Sequence, residues 1–190
     1  MTKAWPVGRL EPNAPLDLNA RRILRVRVGE FYSWEPVISN PLATVELHNM
    51  RISTKRLRYT LELFPTVFGE EGKRQIERVK ALQEQLGNLH DLDVRIDMIA
   101  HELVALTAEE VATLNAALAA SHPSAYRALT TAMLRPPPDA PESGLFALLA
   151  RQHAERQKTY RQFKTLWDQF ALEGMRDDLA RLSSTRVAIL

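Results

Sequence analysis

Apolar residues recur at spacings of three and four along most of the 190-residue chain, and no alternating run of strand length occurs. That pattern predicts an all-α fold. The first helix opens behind Pro15, with Asp17 or Asn19 as its cap, and runs to about Trp34 before Pro36 and Pro41 interrupt it. Asn40 followed by Pro41 reads as the start of a second helix, the proline sitting in the first turn where its missing N–H costs nothing. This helix should reach Phe64, with Pro65 and Gly69 ending it. The longest periodic stretch runs from Glu70 to about Leu103, placing Ile76, Val79, Leu82, Leu86 and Leu89 on one face, with Gly87 as a disturbance. Thr107 with Glu110 three residues later has the form of a capping box and predicts a new short helix dying near Ser121 and Pro123. Another short segment spans Ser124 to Leu134. The stretch PPPDAPESG at 136–144 predicts an extended, solvated loop. Glu142 or Ser143 then opens a last long helix carrying Leu145, Leu148, Phe163, Trp167 and Phe170 on one arc to about Gly174, followed by a frayed tail to Leu190.

These elements predict an antiparallel long-helix bundle, a four-helix core with extra N- and C-terminal helices. It forms one domain over residues 17–190 behind an irregular arm, 1–16, that holds Pro6, Pro12 and Pro15. The chain has no cysteine, which excludes disulfides, thiolate metal sites and cysteine nucleophiles and suits a reducing compartment. The first fifteen residues lack an apolar signal segment, and nowhere do eighteen apolar residues run together. A cytoplasmic protein without a membrane partner is expected.

Charge changes the picture through its distribution. Residues 21–27, 48–58, 70–80 and 151–164 together carry +13 in a chain whose net charge is only +2, which leaves −11 for the rest. Acid and base are therefore segregated, and folding can gather the base onto one surface. On the second helix His48, Arg51, Lys55 and Arg58 fall within an arc of roughly 80°, separate from the face of Met50, Leu57, Leu61 and Phe64. Cations repeated every turn suit a linear polyanion: the arginines supply forked donors, Lys55 a point charge, and His48 a further N–H near the helix start. A solvated basic face is the alternative.

Two other helices carry bases at the edge of their apolar arcs. Arg156 and Gln152 fall inside the arc of the last long helix, so Arg156 either pairs with Asp91 or Asp93 or lines a wet basic groove as an opposite wall to the stripe; the groove is the favoured expectation. Arg74, Arg78 and Gln85 border the apolar face of the long central helix, where Glu70, Glu71, Glu77 and Glu84 offer intrahelical ion pairs instead.

The segments HNMRISTKRLRYTLELF and LQEQLGNLHDLDV resemble the conserved histidine α-helical domain, the CHAD family, in a region covering residues 47–98. The matching positions are His48, Arg51, Lys55, Arg56, Leu57 and Arg58, then Leu86, Gly87, His90, Asp91, Asp93 and Val94. The resemblance implies a helical module that binds inorganic polyphosphate, without catalysis, metal or cofactor of its own. It implicates His48, Arg51, Lys55, Arg56 and Arg58, with Arg74, Arg78, His90 and Arg156 secondary. Members usually contain two facing halves, whereas after residue 66 the His-x-x-Arg spacing recurs only at His153 and Arg156, without the Lys-Arg-Leu-Arg cluster that follows His48 and Arg51. Either a homodimer completes the cleft or the module is a minimal version. Position 90 is His where Arg is common in the family, which makes its charge depend on pH.

Two competing readings use the same residues. His48 with His90–Asp91 superficially resembles the all-helical HD phosphohydrolases, but Asp91 falls far from His90 around a helix and His48 sits among cations that repel a divalent metal. Asp97 and His101, four apart, are more simply solvated. Nucleic-acid binding would exploit the same cations through phosphates, yet of the aromatics only Tyr59 borders the stripe. Whether Arg21, Arg22, Arg25 and Arg27 join the site is left open by the sequence.

Overall fold

A computed structural model describes residues 3–8, 10–133 and 141–184. Six α-helices follow in order: α1 Leu16–Tyr32, α2 Thr44–Leu63, α3 Pro65–Ala120, α4 Tyr126–Met133, α5 Pro141–Leu172 and α6 Met175–Ser183. Short 3₁₀ turns occupy Glu35–Ser39 and Pro123–Ala125, and no strand occurs among the described residues. The all-α expectation holds.

Several boundaries differ from those the sequence suggests, each for a local reason. Neither Asp17 nor Asn19 caps α1. Asn19 instead exchanges two hydrogen bonds with the Glu11 backbone, donating from Nδ2 to Glu11 O at 2.8 Å and accepting from Glu11 N at 3.2 Å. Asn40 Oδ1 accepts from Leu42 N at 3.0 Å in a tight local turn, so Pro41 lies in that turn and α2 begins only at Thr44. Pro65 ends α2 but serves as the first residue of α3, the position where a proline N–H would have no partner anyway. Gly69, at φ 56° and ψ −147°, breaks the regular geometry inside α3, a conformation that side chains with a Cβ rarely adopt. The expected new helix at Thr107 does not form. Thr107 Oγ1 donates back to Leu103 O at 2.8 Å, and with no Gly or Pro between Asn88 and Ala120 the helix continues. Residues 141–144 belong to α5, while 136–140 of the expected loop lie outside the described residues. Gly174, at φ 74°, turns the chain from α5 into α6 where a frayed tail was expected, and residues 185–190 lie outside the described residues.

Two compact units divide the chain: residues 1–90 with 157–190, and residues 91–156. The first holds the hydrophobic core. Leu24 and Phe31 of α1 meet Leu47, Met50, Leu57 and Leu61 of α2, Val79, Leu82, Leu86 and Leu89 of α3, Phe163 and Trp167 of α5, and Met175 and Leu179 of α6. Each such side chain contributes about 1.5–3 kcal/mol by burial. α6 is fastened by its end, since Arg21 Nη1 donates to Leu182 O at 2.6 Å and Arg25 Nη2 to Ser183 O at 3.2 Å. Tyr160 Oη donates to Ile38 O and ties α5 to the 3₁₀ turn ahead of α2.

The second unit is built differently. Its only buried apolar side chains among the described residues are Leu92 and Leu103, while Val94, Met98, Val104, Val111, Phe146 and Leu148 are exposed. By length and composition alone one window of α3 is apolar enough to cross a membrane. The stretch 103–120 nevertheless carries Glu109 and Glu110, carboxylates that oppose insertion.

Candidate anion-binding site

The basic stripe of α2 lies along the first part of α3 in an antiparallel register. His48 Nδ1 stands 3.1 Å from His90 Nδ1. One turn on, Arg51 passes over Gly87, its Nε only 3.6 Å from where a Cβ on that glycine would be. Further along, Arg58 Nε donates to Gln83 Oε1 at 2.9 Å. Gln83, Gly87 and His90 are spaced four and three apart and so form one face of α3, which meets the His48, Arg51 and Arg58 face of α2. Stepping forward along one helix is stepping back along the other.

Within this seam the side chains differ in how they are held. The two imidazoles stack with ring centroids 4.2 Å apart and planes tilted by 43°. Burial, followed by the proximity of His90 and Arg51, holds the His48 pKa below its ordinary value of 6.5. Arg51 Nε is buried without a hydrogen-bond partner among the described residues. Lys55 is exposed and lies 5.6 Å from the centroid of the Tyr59 ring, over which Arg58 also sits at 4.8 Å. Arg58 additionally reaches Glu62 Oε1 at 3.2 Å. Among the described residues no carboxylate pairs with Arg51 or Lys55; the ion pairs of α2 are those of Arg56 and Arg58.

The remaining cations singled out from the sequence stand elsewhere, bound to acids. Arg56 turns toward α1 and pairs with Glu30, which is 1% exposed and also holds Arg27. Arg74 and Arg78 converge on the buried Asp178 of α6, at 3.0 and 3.1 Å, and Arg78 reaches Glu173 at 2.8 Å as well. Gln75 Nε2 donates to the same Asp178 oxygen at 3.1 Å, and Arg181 takes the other oxygen. In the second unit Arg156 is buried and pairs with Asp93, so it takes the ion-pair alternative and not the favoured basic groove. Burial of a guanidinium demands such a partner. The N-terminal arginines are likewise committed. Arg21 and Arg25 cap α6, Arg22 pairs with Glu11 at 2.8 Å, and Arg27 binds Glu30 and Trp5 O.

Sequence reasoning missed Gln83 and undervalued Gly87. Their signal was present as the spacing of Gln83, Gly87 and His90 on one helical face, but the face becomes meaningful only once α3 is laid antiparallel to α2. Among the described residues no cluster of three metal-ligating side chains occurs. Asp97 and His101 lie 3.4 Å apart with both side chains exposed.

A family model described as the CHAD domain matches residues 9–100, a little under half the chain. The segment that contains α1, α2 and the start of α3 is a CHAD domain, as its motif indicates. No match was found among curated proteins or among solved structures.

Proposed function

We propose that this chain is a non-catalytic binding module for inorganic polyphosphate, held on the α2–α3 seam by His48, Arg51, Lys55, Arg58 and His90. The family is consistent with polyphosphate binding in general. The observation that carries the reading is that, among the described residues, Arg51 and Lys55 stand one turn apart without carboxylate partners, while Arg56, Arg74, Arg78 and Arg156 are bound to acids. Two adjacent cations, flanked by an imidazole pair, offer N–H donors to the oxygens of a phosphate chain. Arg56, Arg74 and Arg78 then act on the ligand through the fold, by fixing α2 and α3.

Titration with long-chain polyphosphate against DNA of equal charge, in moderate salt, tests this reading. Tighter binding of polyphosphate is expected; no binding, or equal binding of both, overturns it. Direct phosphate contact without stacking is favoured over single-strand nucleic acid because Tyr59 is already engaged with Lys55 and Arg58. We also propose a second copy of the chain as the partner that completes a two-sided cleft, supported by the exposed apolar residues Val94, Met98, Val104 and Val111. Molar mass by light scattering, with and without polyphosphate, decides it.

A further inference from the structure

The contact between His48 and His90 has a consequence for how an anion is bound. Two Nδ1 atoms 3.1 Å apart are joined by a single proton: one ring donates Nδ1–H and the other accepts with its Nδ1 lone pair. In the neutral pair the accepting ring therefore carries its own hydrogen on Nε2, and the donating ring presents a bare Nε2 lone pair. That lone pair repels an anion. Adding one proton to this Nε2 leaves the Nδ1–H···Nδ1 bond intact and makes both Nε2 atoms donors. A second proton has to enter between the two Nδ1 atoms, where it breaks the bond and sets two cations against each other. The pair is thus built to accept one proton and to refuse another.

We propose that the His48–His90 pair takes up a single proton as the site binds its polyanion, so that capture of phosphate is coupled to pH with a ceiling of one proton. The inference rests on the polyphosphate reading of the seam. The surroundings favour such coupling. From α2, Arg51 is the charged neighbour and works against protonation of His48. Among the described residues no carboxylate makes an ion pair with His48 or His90, whereas His101 pairs with Asp97. Burial adds to the cost of a positive charge on His48 and holds that ring toward its neutral form in the free site. An approaching phosphate chain supplies the negative charge that the pocket lacks, and the proton follows it.

Calorimetric titration with a linear polyphosphate of fixed chain length, in two buffers of different ionisation enthalpy, measures the proton count. The wild-type chain is expected to take up between zero and one proton more than the double variant His48→Gln/His90→Gln, which keeps Arg51, Lys55 and Arg58. The terminal phosphates of the probe titrate in both experiments, so the difference between the two proteins is the readout. Affinity of the wild type should fall by up to about tenfold between pH 7 and pH 8, the limit for one linked proton. His90→Arg, with a permanent cation in place of the imidazole, should bind equally at both pH values. Equal proton uptake by the wild type and the double variant overturns the coupling and leaves the polyphosphate reading standing, as does an uptake above one. Failure of the wild type to bind polyphosphate anywhere from pH 6 to pH 8 overturns both.

Discussion

Glu30 of α1 gives one carboxylate oxygen to Arg27 and the other to Arg56 of α2. With Glu30 1% exposed and both arginines partly buried, this three-membered cluster links α1 to the back of the helix whose front carries Arg51 and Lys55. Replacing Glu30 with Ala strands two guanidinium groups and should lower unfolding free energy by about 2–4 kcal/mol in urea titrations. Arg56→Ala should lose stability and binding together.

Arg51 and Lys55 should separate the two effects. Arg51→Glu with Lys55→Glu removes no ion pair, so stability by denaturant titration should change by less than about 1 kcal/mol. Affinity for polyphosphate should fall at least tenfold, and the salt dependence of binding should become shallower as fewer counterions are released.

Gly87 can be probed by size. A methyl group there meets Arg51 Nε at ordinary contact distance, so Gly87→Ala should retain binding and gain about 0.5–1 kcal/mol from helix propensity. Gly87→Leu occupies the path of the guanidinium, and weakened binding with a folded circular-dichroism spectrum is expected. Binding unchanged by leucine would show that Arg51 does not need to cross the glycine.

The depressed pKa of His48 sets a direction for stability against pH. Below pH 6.5 the unfolded chain binds a proton at this residue more readily than the folded chain, so the stabilisation held above that value is lost as acid brings the pH toward the lowered folded value. Thermal unfolding from pH 7.5 to pH 5 should show Tm falling more steeply for the wild type than for His48→Gln.

Asp178 gathers Arg74, Gln75, Arg78 and Arg181 around one buried carboxylate. Asp178→Asn should destabilise by about 2–3 kcal/mol, read in urea, and release α6, read as faster amide exchange over residues 175–183.

How much of this was legible beforehand divides by the range of the interaction. The stripe His48, Arg51, Lys55, Arg58 is a property of one helix and could be read from spacing alone. What made Arg56, Arg74 and Arg78 differ from it was a carboxylate on another helix: Glu30 is 26 residues from Arg56 and Asp178 is 104 from Arg74. Nothing in the local pattern distinguishes a cation awaiting a ligand from one awaiting such a partner. Boundaries failed in a similar way. Asn40–Pro41 and Thr107–Glu110 have the composition of helix starts, but Asn40 bonded to its own turn and Thr107 to the carbonyl one turn back, both choices open to these side chains. Arg156 against Asp93 was among the stated alternatives, and the cost of an unpaired buried guanidinium decided it.

The grip of Arg21 on Leu182 joins residues 161 positions apart. During synthesis α1 and α2 leave the ribosome long before α6 exists, so the buried face that α6 will cover stays open to water until α6 emerges. Closure of so long a loop is slow relative to helix formation. A chain halted before α6 therefore leaves that apolar face uncovered, and α6 is the helix that shuts the core.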